Sequence, residues 1–186
     1  MKEDKALRTK IVDVLLANTL KCIFQASHSK NQFHCIMQPP NKHEKLENLF
    51  ISSINIKAED FTVTIGIGWH SENMKVHISK GIRRETAEVN LDLAKGFIGE
   101  LCNGIAGAIK ADLASYGPKL KLGLPEFTGT YDKDKWKKDF VFEISDEKGG
   151  VLCFFHIDNW QSNELQKILG GQSIDGQQDE GEIEFL

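Results

Sequence analysis

The apolar residues near the start of the chain recur with the spacing of an α-helix. On a helix of about 3.6 residues per turn, one broad side collects large apolar side chains, namely Leu7, Ile11, Leu15, Leu16, Leu20, Ile23 and Phe24. This spacing predicts a helix from Lys5 to Gln25. A second helical pattern predicts a longer helix from Ala87 to Tyr116, which ends at Gly117-Pro118 because glycine followed by proline is a stop signal.

Between and after these helices, alternating and β-branched residues predict strands. The expected strands cover residues 33–38, 49–58, 60–69, 74–79, 120–125, 138–145 and 151–158. A turn at Ser71 to Asn73 precedes the strand at 74–79, and a hairpin turn from Asp146 to Gly150 joins the last two. This order predicts an α/β (α+β) domain in which two long helices pack against an antiparallel or mixed sheet of at least five strands.

The longer helix has two unlike sides when successive residues are placed about 100° apart. One side is apolar and should face the core, with Leu91, Ile98, Cys102, Ile105 and Ile109 at its centre and Leu101 and Leu113 at its edges. The opposite side is small and polar, and it contains Gly96, Glu100, Asn103, Gly104, Gly107 and Ala111. Glycine within a helix costs about 1 kcal/mol relative to alanine, so we expect another backbone to approach this side, either from the same chain or from a second protein.

Glu100 and Asn103 are the only long polar side chains in that small-residue sector. Their spacing of three residues places them side by side, so they can act together on one target. From this spacing alone, two solvated side chains on an exposed helix remain the simpler interpretation.

Composition and charge indicate one globular domain with an acidic end. The chain has 186 residues, 40% hydrophobic and 27% charged, which is enough to bury a core. Residues 172–186 contain five acidic residues and no base, and we interpret them as a flexible tail after a single domain of residues 1–171. The net charge of +1 that remains for residues 1–171 lacks the basic surplus of a nucleic-acid-binding protein. No export signal or membrane-spanning stretch is evident, so we expect a cytoplasmic protein without membrane partners.

Other candidate chemistry has little support in the sequence. The cysteines form no CxxC pair, and we interpret them as reduced core residues with a disulfide as the weaker alternative: Cys22, Cys35, Cys102 and Cys153. The histidines have no HxxxH or HExxH spacing, so no metal site is expected. The segment GIGWHS at residues 66–71 begins like a dinucleotide fingerprint, but it lacks the third glycine and precedes a predicted strand. We therefore expect no nucleotide site.

The segment around Glu100 and Asn103 carries a recognisable pattern. The sequence GELCNGIAGAIKADLASYGPKLKLGLPEFTG resembles the signature of the CheX/CheC chemotaxis phosphatase superfamily. In that family a helix with E-x-x-N continues as a small-residue stretch and leads to a strand ending in proline with a glycine nearby. The matching positions here are Glu100, Asn103, Ile105-Ala106-Gly107, Pro125 and Gly129. The similarity is sharp over residues 87–129, and the order of elements extends it loosely over residues 5–160.

The resemblance implies a CheC/CheX-like fold and a phosphatase role. In the family the helix docks on a phosphorylated receiver domain such as CheY, so Asn103 would orient the attacking water and Glu100 would pair with the receiver's lysine. Gly96, Gly104, Gly107 and Ala111 would form the partner-docking face. The resemblance also implies that the chain binds no cofactor, that Mg²⁺ belongs to the receiver, and that two chains form a homodimer with one site each, as in CheX.

One departure from the family pattern leaves an alternative open. The family often has Asp or Ser four residues before the glutamate, where this chain has Gly96. The alternative is a non-catalytic, CheC-like interaction module that binds a receiver or another signalling protein without turnover.

Overall fold

The computed structural model describes residues 2–28, 33–39, 48–132 and 134–170. Within them lie the helices α1 (Lys2–Ser27), α2 (Ser71–Ile82), α3 (Leu91–Ala114) and α4 (Asn163–Gly170), and a short 3₁₀ helix at Thr86–Glu88. The strands are β1 (His34–Gln38), β2 (Phe50–Lys57), β3 (Thr62–Trp69), β4 (Lys121–Leu122), β5 (Glu126–Thr130), β6 (Phe140–Asp146) and β7 (Gly149–Ile157). The predicted tail, residues 172–186, lies outside the described residues.

The strands form one seven-stranded sheet in the order β1-β6-β7-β3-β2-β4, with β5 paired to β2 beside β4. Every pairing among the described strands is antiparallel. The hairpin between β6 and β7 is tight, since Asp146 pairs directly with Gly149. The predicted α+β class with a sheet of at least five strands is confirmed.

The side chains of β7 show how the sheet is covered on its two faces. Val151, Cys153 and Phe155 belong to the main core, which also contains buried residues of all four helices. The intervening Leu152 and Phe154 belong to a smaller cluster, against which Tyr131 and Trp136 pack. Alternate residues of a strand point to opposite faces, so the helices cover one face, and Tyr131 and Trp136 cover part of the other.

The segment at residues 74–79 is helical, and the predicted strand there is wrong. Met74, Val76 and Ile78 alternate as in a strand, but the most deeply buried residues of the segment include Met74, His77 and Ile78, which have helical spacing. α2 packs closely on its neighbours through Gly81. A Cβ on Gly81 would lie 2.3 Å from the Phe97 ring of α3 and 2.5 Å from the Ala26 carbonyl oxygen of α1.

The longer predicted helix begins later than expected. Instead of running from Ala87, α3 starts at Leu91, because the Asn90 side-chain oxygen accepts a hydrogen bond from the Leu93 N–H at 2.9 Å and caps the helix. Thr86–Glu88 forms a separate 3₁₀ turn. The helix ends at Ala114, and Gly117 has φ of 102°, as a chain-reversing glycine does.

The predicted turn at Ser71 to Asn73 is wrong, because these residues form the first turn of α2. The remaining predicted helices and strands agree with the structure apart from their ends. Only Lys121–Leu122 of the predicted strand at 120–125 pairs in the sheet. β5 and α4 are elements that the sequence pattern did not predict. In the described part of the chain, no helix is long and apolar enough to cross a membrane.

Candidate functional site

α3 buries the side that its sequence predicts. Ile98, Cys102, Ile105 and Ile109 are completely buried, and Leu101 and Leu113 are nearly so. Leu91 is the exception, with 39% of its surface exposed. It is the first residue of the helix, where Val89 and Ala94 fill the core in its place.

The opposite side of α3 is open, and we call the surface formed by Gly96, Glu100, Asn103, Gly104, Gly107 and Ala111 the glycine strip. A Cβ added at Gly96, Gly104 or Gly107 would meet no other atom of the described chain within 4 Å. The close approach that these glycines permit is therefore not made by a described element of this chain. No contact within the described residues compensates the free energy that these glycines cost the helix.

Two neighbouring elements border the glycine strip. On one side, the Phe97 ring turns towards α2, where it fills the space above Gly81. On the other side, the loop between β4 and β5 crosses Gly99, whose added Cβ would lie 3.9 Å from the Cβ of Pro125. At about 100° per residue, Phe97 and Gly99 lie on either side of the strip. The glycine strip is therefore a shallow surface with a border on each side, and we call these two borders, at Phe97 and at Pro125, its walls.

Glu100 and Asn103 are available to a partner. Glu100 is exposed and Asn103 is partly exposed. Within the described ranges neither side chain makes a hydrogen bond or an ion pair. The Asn103 carboxamide can both donate and accept hydrogen bonds, and Glu100 adds a negative charge one helical turn away. The structure therefore brings together the two residues that the sequence singled out.

An aromatic cluster holds β5, the strand that follows the loop between β4 and β5. The Phe127 ring lies 5.7 Å from that of Phe50 and 6.4 Å from that of Trp69, measured between centroids. The Lys95 ammonium of α3 lies 4.6 Å from the centre of the Phe127 ring and 3.5 Å from an Asp92 carboxylate oxygen. These contacts tie the first half of α3 to β5, so the glycine strip and its wall form one unit.

The sequence analysis missed two exposed apolar residues at the strip. Leu93 lies two helical turns before Glu100 on the same side of α3, and it is exposed. Leu124, in the loop between β4 and β5, is 84% exposed. The helical spacing of Leu93 and Glu100 was a usable signal, whereas no sequence pattern placed Leu124 beside α3.

The cysteines are free thiols, as predicted, and the disulfide alternative is not formed. Cys102 and Cys153 are buried, and Cys22 and Cys35 are partly buried. Burial raises the pKa of Cys102 to about 12 and that of Cys153 well above its ordinary value. Thiols so protonated are poor nucleophiles, which agrees with a packing role.

Two histidines are paired with carboxylates. His77 Nε2 lies 3.0 Å from Asp146 Oδ1 in a buried contact between α2 and the β6–β7 turn, and His156 Nδ1 lies 3.0 Å from Asp139 Oδ2. Among the described residues, no three His, Cys, Asp or Glu side chains are grouped as metal ligands would be. His43 lies outside the described residues.

The glycines of GIGWHS have a packing role. A Cβ on Gly66 would lie 2.1 Å from the Phe154 ring, and one on Gly68 would lie 2.9 Å from Leu49 Cδ1. The expectation that a strand follows this segment is wrong, because α2 begins at Ser71. Side chains nevertheless occupy the space above both glycines, so neither offers the backbone surface that a pyrophosphate needs.

The fold of this chain is one antiparallel sheet with helices on one face, among them the long helix α3. No protein-family model and no curated protein matches the sequence. Among solved structures, the chain is similar to the chemotaxis protein CheX from Vibrio vulnificus, with a TM-score of 0.66, 14% identity, and coverage of 80% of this chain and 99% of that one. The fold predicted from the resemblance is confirmed.

Two further solved structures are similar. A chemotactic CheC-like protein from Shewanella oneidensis MR-1 has a TM-score of 0.63 at 13% identity, over 81% of this chain and 99% of that one. A CheX chain in a CheX-CheY-BeF3-Mg²⁺ complex from Borrelia burgdorferi has a TM-score of 0.59 at 16% identity, over 80% and 97%. At these identities the similarity shows the shared fold.

Proposed function

We propose that this chain is a CheX-like phosphatase that stimulates hydrolysis of the aspartyl phosphate of a CheY-type receiver domain in chemotaxis or two-component signalling. The observation that carries the proposal is the pair Glu100 and Asn103, which α3 presents on the open glycine strip with no hydrogen-bond or ion-pair partner among the described residues. The similarity in fold to a CheX that is known in complex with CheY supports it. The proposal places the protein in the cytoplasm with its receiver.

The chemistry is the attack of water on an acyl phosphate. A new bond forms between the water oxygen and phosphorus while the bond from phosphorus to the aspartate oxygen breaks, which gives inorganic phosphate and a free carboxylate. The Asn103 carboxamide holds the water in line with the breaking bond, since positioning is a large part of the barrier in such reactions. Glu100 pairs with a lysine of the receiver. Mg²⁺ in the receiver neutralises the phosphoryl oxygens, and this chain supplies no cofactor.

The shape of α3 suits this role. Residues three apart are separated by about 4.5 Å along the helix axis, so Glu100 and Asn103 reach a single small site. Gly104 and Gly107 follow them on the same side and leave room for the receiver backbone. The walls beside Phe97 and Pro125 restrict the angle at which the receiver enters.

The second candidate is the non-catalytic interaction module, and Gly96 is the observation that favours it. This position faces open space one turn before Glu100, so no side chain there supports the glutamate. In this version the glycine strip binds the receiver and the phosphate remains in place.

Phosphate release from a panel of phosphorylated receivers, with Mg²⁺ present, distinguishes the two candidates. We expect this protein to accelerate release for at least one receiver over its spontaneous rate. Binding to a receiver without acceleration would favour the interaction module, and neither binding nor acceleration for any receiver would refute the phosphatase and a module that binds receivers.

We also propose that the chain is a homodimer that pairs through β1. β1 is an edge strand of the sheet, and an unpaired edge can accept another strand. Ile36 and Met37 on it are adjacent and 56% and 62% exposed, so this edge offers apolar surface that a second chain can cover. Light scattering after gel filtration should give the mass of two chains, and Ile36→Lys should give that of one. A monomeric mass for the parent at high concentration contradicts the proposal.

A further inference from the structure

Leu124 is the most exposed of the large apolar side chains that the structure describes, at 84%. It lies in the loop between β4 and β5, between Gly123 and Pro125. A single exposed leucine is common on protein surfaces. Leu124 differs from an ordinary surface leucine in its position and in the way its backbone is held.

The backbone on both sides of Leu124 is tied down. The Gly123 N–H donates a hydrogen bond to the Asn55 carbonyl of β2 at 2.8 Å. Pro125 has a fixed φ and lies against Gly99 of α3, and β5 begins at the next residue. Leu124 is therefore presented outward by an anchored backbone, and its exposure does not come from a loose loop.

The anchored loop lies against Gly99 of α3. Gly99, which contacts Pro125, is one helical turn before Asn103 on the same side of α3. The rise between them along the helix axis is about 6 Å. A partner that reaches Asn103 along the glycine strip thus meets Leu124 at the border of the strip.

We propose that Leu124 is a docking residue that inserts into an apolar depression of the phosphorylated receiver and so helps to select which receiver is dephosphorylated. This inference rests on the proposed function. The partner is the receiver that the glycine strip is proposed to bind, because the loop that carries Leu124 lies against Gly99 at the border of that strip. Leu124 holds the receiver, whereas Asn103 acts on the water, so the two contribute to different kinetic constants.

The test compares Leu124→Ala with the parent and with Phe24→Ala, a matched control that removes a 51% exposed apolar side chain from α1. The receiver is used in two forms, phosphorylated for kinetics and beryllofluoride-loaded for binding. We expect Leu124→Ala to raise KM and Kd by about tenfold with kcat unchanged, and Leu124→Met to restore the parent values because it keeps the apolar volume. Phe24→Ala should change neither constant, and melting temperatures should agree.

The outcomes separate this inference from the function on which it rests. Hydrolysis by the parent together with unchanged KM and Kd in Leu124→Ala would overturn the inference and leave the phosphatase intact. An unchanged KM with loss of dimer mass in Leu124→Ala would assign the residue to a second copy of the chain, which also overturns it. Failure of the parent to bind or dephosphorylate any receiver would refute both the inference about Leu124 and the proposed phosphatase function.

Discussion

Asn103 is the residue on which the proposed chemistry depends most directly. Asn103→Ala removes the group that aligns water but leaves the buried side of α3 and most of the glycine strip unchanged. We expect kcat to fall by about 100-fold, with receiver binding within a factor of about two of the parent. Alanine has the higher helix propensity, so the melting temperature should not fall. Parent-level dephosphorylation by this variant would show that the proposed mechanism is wrong.

Glu100 contributes charge at the same place, and its removal should have a different signature. Glu100→Ala loses a charge-assisted contact with the receiver's lysine, so we expect KM to rise by about tenfold. Glu100→Gln retains the shape and tests the charge. KM of the parent should rise with salt concentration, and that of Glu100→Gln should rise less, because salt screens an ion pair. Identical salt dependence in the two proteins would contradict this role.

At the scale of the element, the glycines of the glycine strip lower the stability of α3 but leave that surface almost free of side chains. Gly104→Ala adds a methyl group where nothing lies within 4 Å, so the free energy of unfolding should rise by about 1 kcal/mol in a denaturant titration. Gly104→Phe places a ring on the strip and should lower kcat/KM for the receiver at least about tenfold while the fold persists.

The matched control for this prediction is a glycine of β3. Gly66→Ala introduces a Cβ 2.1 Å from the Phe154 ring, so it should destabilise the protein. A loss of stability in Gly104→Ala similar to that in Gly66→Ala would mean that α3 is covered by part of the chain itself.

At the scale of the whole molecule, the predicted tail can be removed. Residues 172–186 have few large apolar residues, namely Ile174, Ile183, Phe185 and Leu186, and a chain ending at Gly171 should have almost the same melting temperature as the full chain. Differential scanning calorimetry of both forms is the measurement. A drop of several degrees would show that the tail packs on the domain.

Much of the site was predictable because it lies on one helix. The side chains of α3 obey a single period, so the burial of Ile98 and Ile105 and the exposure of Glu100 follow from the spacing of apolar residues. The same reasoning predicted the strands of the central sheet, where buried and β-branched residues continue over β3 and β7. Local patterns predict these elements well, because the residue type at each position depends mainly on whether the position faces the core.

Other features depended on contacts between distant segments. The residues MKVHIS satisfy both periods, and in the structure they form part of α2, which packs closely on Phe97 and Ala26 through Gly81. The loop that carries Leu124 lies against Gly99 because β4 and β5 both pair with β2. Periodicity records that a side chain is buried or exposed, but it does not identify the element that lies opposite. The sequence therefore determined which residues α3 offers, and the tertiary contacts determined the walls around them.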